Sequence, residues 1–293
     1  MKLTCIILNY NDATNTLKLA KAINGYNSID DVVIVDNFST DDSAKQLRAS
    51  EGNKIHVVQT DRNGGYGYGN NFGARYAFAV LGADAVMIVN PDVKFDEKLV
   101  DKLEYALATR ENVGVVSAIQ LNTSGKEITR SAWRIPKKWN YIFSIGMILS
   151  RLIPSFYYSL EELHHSTLVE VECVAGSLLM ISKQAFEMTG GYDEDMFLYC
   201  EETTIGCKMK SAGFISYICS DVQYYHMHGV SITKSIKSTV RQKKIMLQSH
   251  HLLLRRYLHA NQFELIVDGI MGKIALFEES LKIVVRSFAK GGN

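Results

Sequence analysis

Ala85-Val86-Met87-Ile88-Val89-Asn90-Pro91-Asp92-Val93 decides how this chain is read. Its unbroken apolar run from Ala85 to Val89 predicts a strand buried on both faces, as in a parallel sheet covered by helices. Pro91 cannot donate to a sheet ladder, so the strand ends near Asn90. Asp92 then stands just past the strand's carboxyl end, where open α/β sheets bind their ligands. A carboxylate there is a hard oxygen ligand for Mg²⁺ or Mn²⁺, and such an ion would hold a diphosphate. Read alone, the tripeptide is accounted for at least as well by a turn.

The segments before it alternate. Leu3 to Leu8 predicts a strand, Thr14 to Asn24 a helix that Asp12 or Thr14 could cap, and Asp31 to Val35 a second strand. A polar turn, a helix and a third strand at Ile55 to Gln59 follow. This alternation predicts a doubly wound, mostly parallel sheet with its strand-terminal loops side by side. The run Asn63 to Gly73 is rich in glycine, with a helix expected from Ala74 to Leu81. Such a loop can bring backbone N–H groups to a phosphate, and a purely structural loop is an equal reading. It does not fit G-x-G-x-x-G, because Phe72 stands where the third glycine would fall.

Beyond Asp92 a helix is expected from Asp96 to Arg110 and a strand from Val113 to Ile119. Trp133, with Arg130 and Arg134, could stack on and pair with a sugar or phosphate, or simply anchor an exposed loop. Tyr141 to Tyr158 reads as an excursion over the sheet face or a lipid-facing patch. Val169 to Ser182 reads as one strand, followed by a helix from Lys183 to Met188 and by Gly190-Gly191. Glu201 and Glu202 then open a helix. They either complement the helix dipole or supply a general base, partly desolvated by Phe197 and Tyr199. His226-Met227-His228 can supply metal ligands or serve structure alone.

Composition narrows the class. The 293 residues are 47% hydrophobic and 22% charged, which fits a globular protein. Five cysteines without CxxC spacing argue against a disulfide framework or zinc site and suit a reducing cytoplasm. The amino-terminal apolar run is too short for a signal peptide, and Tyr141 to Pro154 falls short of the ~18–20 residues a bilayer span needs. Residues 234–293 carry 11 Lys/Arg against 4 Asp/Glu, whereas the remainder is net negative by 6. That asymmetry points to an anionic surface such as a membrane, and a solvated basic helix face explains it equally well. A basic surplus confined to the carboxyl-terminal region argues against a nucleic-acid enzyme.

At these residues the chain resembles family 2 glycosyltransferases of the GT-A fold, in the rhamnosyltransferase-like branch of bacterial polysaccharide biosynthesis. The resemblance spans roughly residues 3–232 and rests on motif order. Asn9-Tyr10-Asn11 resembles the family's opening, and Val35-Asp36-Asn37-Phe38-Ser39-Thr40-Asp41 its Val-Asp-Asp-Gly-Ser-Thr-Asp. The loop Asn63 to Gly73 resembles its glycine–asparagine loop, and Asn90-Pro91-Asp92 stands at its Asp-x-Asp. Gly190-Gly191-Tyr192-Asp193-Glu194, the Glu201-Glu202 pair and His226-x-x-Gly229-x-Ser231 match later motifs.

The resemblance implies an α/β GT-A domain over 1–232 with a basic helical extension over 233–293. It implies an inverting, metal-dependent transferase. The donor would be a nucleotide-diphosphate sugar, dTDP-rhamnose or a UDP-hexose, and the acceptor a glycan or lipid-linked saccharide hydroxyl. Asn9, Tyr10, Asn11, Asp36, Asn37, Asn63, Gly64, Gly65, Asn71, Asn90 and Asp92 would bind the donor. Asp92 and His226 would hold Mg²⁺ or Mn²⁺. Glu202, with Glu201 beside it, would be the base, and Trp133, Gly176 and Asp193 would meet the acceptor. Asn90, Thr204 and Lys208 depart from the family pattern, which leaves a non-catalytic nucleotide-sugar-binding subunit as the rival. The expected location is the cytoplasm, with the carboxyl-terminal helices on the inner face of the membrane or in a homo-oligomer.

Overall fold

The computed structural model describes residues 1–227 and 238–290, the last seven by backbone alone. His228, Gly229 and Ser231 of the histidine motif, and the expected 232/233 boundary, lie outside the described residues.

In the larger unit, β1 (Leu3–Asn9), α1 (Ala13–Ile23), β2 (Asp31–Asp36), α2 (Ser43–Arg48), β3 (Ile55–Gln59), α3 (Tyr66–Tyr76) and β4 (Ala85–Val89) alternate as expected. Then come β5 (Val93–Lys94), α4 (Glu97–Thr109), β6 (Val113–Leu121) and β7 (Ala132–Trp133). The order of the main sheet begins β3-β2-β1-β4, all parallel. Successive β4 residues face opposite layers. Met87 and Val89 join Leu19, Leu99 and Leu103 on one side, and Val86 and Ile88 join Ala74, Phe186 and Ile205 on the other. Two helical layers therefore demand the unbroken apolar run.

The expected strand Val169–Ser182 is broken into β8 (Leu168–Val171), β9 (Cys173–Val174) and β10 (Leu178–Ser182). The residues between β9 and β10 form a turn at Gly176, and β10 runs antiparallel to both β4 and β6. After α7 (Lys183–Thr189) and α8 (Glu201–Ser211), the long β11 (Ile215–His226) pairs with β6, β8 and the short β5.

The glycine run is helical rather than a loop, with α3 starting at Tyr66 instead of Ala74. Its glycines serve close packing. A Cβ at Gly69 would stand 2.3 Å from Leu8, and one at Gly73 2.7 Å from Val35. Each glycine disfavours a helix by about 1 kcal/mol, which contact with β1 and β2 offsets. Asp12 occupies the position before α1 without capping it, while Asp96 caps α4 by accepting from Leu99 N–H at 3.0 Å.

A second compact unit comprises residues 136–156, 198–200 and 236–293. Its described helices are α5 (Lys138–Ser144), packed in one core with the long helices that follow, α9 (Thr239–Arg256) and α10 (Gln262–Lys290). Within this unit Ile142 and Ile145 pack against Leu254 and Met271. No described helix is long and apolar enough to cross a membrane.

Candidate active site

The carboxyl ends of β1 and β2 lie level, with Asn9 opposite Asp36 and Asp36 opposite Gln59 of β3. Asp36 is 1% exposed. Its carboxylate accepts from Asn9 Nδ2 at 3.1 Å, Gln59 Nε2 at 2.9 Å and Ser39 Oγ at 2.5 Å. Asn37 donates to Asn63 Oδ1 at 3.1 Å and the Gly65 carbonyl at 3.0 Å, and accepts from Thr60 Oγ1 at 3.2 Å. The side chains of Asp36 and Asn37, which the resemblance places on the nucleotide, are held by these protein partners. They shape the loop that Asn11, itself bonded to Thr40, encloses from the other side. Tyr10 is half-buried beside it, and Phe38 is exposed at φ +62.

Asn71 is likewise internal. Its amide donates to the Tyr192 carbonyl at 3.0 Å and Glu194 Oε1 at 2.9 Å and accepts from Tyr192 N–H at 2.9 Å. It joins α3 to the Gly-Gly-Tyr-Asp loop. Gly64 and Gly65 lead into α3, where Tyr66 N–H donates to the Phe197 carbonyl at 2.9 Å. A Cβ at Gly65, whose φ is +93, would stand 2.1 Å from that carbonyl oxygen.

At the end of β4, the β5–β11 pairing sets His226 opposite Val93 and so brings it to Asp92. His226 Nε2 lies 3.3 Å from Asp92 Oδ1. Gln120 Nε2 stands 3.2 Å from His226 Nδ1, and Gln120 is held in turn by Tyr224 Oη at 3.3 Å, which meets Ser177 Oγ at 2.8 Å. A buried polar line therefore orients the imidazole. Tyr66 Oη donates to the Gly176 carbonyl at 2.7 Å and lies 3.2 Å from Asn90 Oδ1, tying the strand end to the Gly176 turn.

Glu202 sits in the first turn of α8, directly against that turn. Glu201 is 4% exposed, whereas Glu202 is half-buried, so Glu202 is the carboxylate of the pair that can meet a substrate. Burial raises the Glu202 pKa, while its own N–H, the Gly176 N–H and the His226 charge pull it down. Phe197 is 38% exposed. The Tyr66 and Tyr192 hydroxyls, both pushed up mainly by burial, feel the charge of both glutamates.

Trp133 donates from Nε1 to Thr203 Oγ1 at 3.0 Å, which sets the indole beside the start of α8. Arg134 lies over the Tyr158 ring at 4.0 Å and pairs with Glu162, and Arg130 lies over Tyr157. Thr204 is buried against Met196, and Lys208 donates to the Gly191 carbonyl at 2.6 Å. Burial lowers the Lys208 pKa, against the nearby charges of Asp193 and Glu194. Two of the departures, Thr204 and Lys208, therefore fill structural places. Sequence reasoning missed Tyr66, Gln120, Ser177 and Tyr224. Tyr66 alone had a signal, as an aromatic inside a glycine run.

Among the described residues no group of three or more His, Cys, Asp and Glu side chains gathers as a metal cluster. Asp92 and His226 offer one carboxylate and one imidazole, a donor pair that suits Mg²⁺ or Mn²⁺ if diphosphate oxygens and waters complete the shell.

This fold has known counterparts. Residues 4–185 match the family model for glycosyl transferase family 2, and the chain belongs to that family. It is 25% identical over 288 residues to the low-salt glycan biosynthesis hexosyltransferase Agl10 of Haloferax volcanii, covering 96% of this chain and 87% of that one. Identity is also 25% over 229 residues to N-acetylglucosaminyl-diphospho-decaprenol L-rhamnosyltransferase of Mycobacterium tuberculosis, covering 75% and 71%. The fold is that of the mannosyltransferase PcManGT from Pyrobaculum calidifontis, solved with GDP-Man and Mn²⁺. The TM-score is 0.59 at 17% identity, over 98% of this chain and 75% of that one. The chain is thus a GT-A glycosyltransferase of rhamnosyltransferase-like type.

Proposed function

We propose that this enzyme moves a hexosyl or rhamnosyl group, with inversion, from a nucleotide-diphosphate sugar to a hydroxyl of a glycan or lipid-linked saccharide. The observation that carries this reading is the Glu202 carboxylate, half-buried at the start of α8 against Gly176 and within the field of His226. Glu202 takes the proton of the acceptor hydroxyl as its oxygen bonds to the anomeric carbon. The bond from that carbon to the diphosphate breaks, and its electron pair leaves on the diphosphate oxygen. A single displacement inverts the centre, through oxocarbenium character common to glycosyl chemistry.

Asp92 and His226 would hold Mg²⁺ or Mn²⁺, which when bound supplies positive charge to the leaving diphosphate. Trp133 supplies an apolar wall for the acceptor sugar. The mycobacterial relative is named for a diphospho-decaprenol acceptor and the Haloferax relative for glycan synthesis, which supports this acceptor class and ranks dTDP-rhamnose and UDP-hexoses first as donors.

A thermal-shift screen of dTDP-rhamnose, UDP-glucose, UDP-galactose, UDP-N-acetylglucosamine and GDP-mannose, each with Mn²⁺ or with EDTA, tests the reading. A cognate donor at about 100 times its Kd stabilises by ~2.7 kcal/mol. One donor should shift melting with Mn²⁺ and less with EDTA. No shift with any would favour a subunit that does not use these sugars.

A further inference from the structure

In the smaller unit, helix α10 is apolar on both faces, with Met271 and Ala275 buried on the inner one. Its inward face carries Glu264 and Asp268, each 4% exposed, while Phe263, Ile266, Ile270, Ile274, Phe277 and Leu281 are 44–69% exposed. These six recur every three or four residues and so form one stripe along the helix. At 1.5 Å per residue the stripe is about 27 Å long. Trp139 flanks it at one end, 6.2 Å from the Phe263 ring, and is itself 41% exposed. The turn bearing exposed Ile148 and Leu152 joins it further along, where Met147 N–H donates to Glu278 at 2.7 Å. An apolar surface of this extent on a soluble protein marks an interaction site.

Charge identifies the occupant. Every acid of this unit is paired and none is fully exposed: buried Glu264 with Lys138 and buried Asp268 with His250 and His251, half-buried Glu278 with Met147 N–H and Glu279 with Lys282. Among the described side chains, those charged and exposed here are all basic, including Arg151, Lys244, Arg255, Arg256 and Lys273. Lys273 lies on the stripe itself. A second copy would bring like charges together around the stripe, and a nucleic acid would find apolar rings where it needs phosphate donors. We propose that the outward face of α10, with Trp139, embeds in the headgroup boundary of an anionic lipid bilayer, its apolar stripe among the acyl chains and its basic residues on the lipid phosphates. This assigns the apolar face of one helix, beyond the basic surplus of the tail, and it stands apart from the transfer chemistry.

Flotation of the full chain with phosphatidylcholine vesicles, with and without phosphatidylglycerol, tests it without any sugar donor. Binding should require the anionic lipid and persist in part at physiological salt. Ile270→Glu and Phe277→Glu, both on the exposed face, should each weaken binding at least tenfold with melting unchanged. In Phe277→Trp, which alters no buried contact, brominated acyl chains should quench the new indole. Absence of binding to anionic vesicles at low salt, undiminished binding of the glutamate variants, or an unquenched indole would each overturn the proposal. A dimer that Ile270→Glu dissolves, without vesicle binding, would give the face to a second copy.

Discussion

The Glu202 carboxylate packs on Gly176: a Cβ added at Gly176 would stand 2.8 Å from Glu202 Oε1 and 2.9 Å from its Cγ. Gly176 has its place here because the glutamate needs the space. Gly176→Ala should therefore displace the carboxylate and lower kcat by roughly 10²-fold, the scale set by misplaced catalytic groups, with KM for the donor little changed. Steady-state kinetics against the melting temperature separates this from a loss of fold.

Burial raises the Glu202 pKa above the ordinary glutamate value. A base must be ionised, so activity should fall with decreasing pH through this raised value, earlier than an exposed glutamate would allow. The pH–rate profile reads it directly. The folded state also holds the proton more tightly than the unfolded chain. Stability is therefore lost as pH rises past the unfolded value, and the loss persists at neutral pH. Glu202→Gln should melt higher than the wild type at pH 7, with the difference shrinking toward about pH 4.

Asp92 offers the only carboxylate of the Asn90-Pro91-Asp92 turn, and the Asn90 amide is engaged by Tyr66. Asp92→Asn should abolish metal-dependent binding of a nucleoside diphosphate. Asn90→Asp should tighten Mn²⁺ by adding a second carboxylate. Calorimetric titration of Mn²⁺ with and without UDP gives both results.

Gly65 combines φ +93 with a Cβ position 2.1 Å from the Phe197 carbonyl oxygen. Gly65→Ala must break the Tyr66 N–H bond to that carbonyl or strain the turn, a loss of about 1–3 kcal/mol. Chemical denaturation should show this drop, whereas Gly190→Ala, which meets nothing within 4 Å, should pay only for its positive φ.

The parallel half of the sheet was legible because two helical layers leave their mark as unbroken apolar runs, with Ala85–Val89 the clearest. The place of Asp92 followed from Pro91, which cannot extend a ladder. The helical start of α3 was hidden by its glycines, whose value lies in contact with Leu8 and Val35 and not in local propensity. The Gly176 turn and the reversal of β10 were hidden too, because Val174 and Leu178 both read as strand. Asp36, Asn37 and Asn71 were placed on the donor by the resemblance alone, and their protein partners Gln59, Thr60 and Tyr192 come from strand pairing and long-range contact that local sequence does not announce. Gln120 and Tyr224 act on His226 only through the β6–β11 pairing, which no local pattern announces. The grouping of 136–156 with α9 and α10 is a long-range contact of the same kind.

The central claim is that Glu202 is the base of a sugar transfer, and nucleotide-diphosphate release from the stabilising donor, with acceptor and Mn²⁺ present, tests it most directly in the wild type and Glu202→Gln. Removing a general base slows the reaction by ~10²–10⁴-fold. The account predicts a loss of that size with donor binding intact. A Glu202→Gln enzyme that releases the diphosphate at the wild-type rate would contradict it.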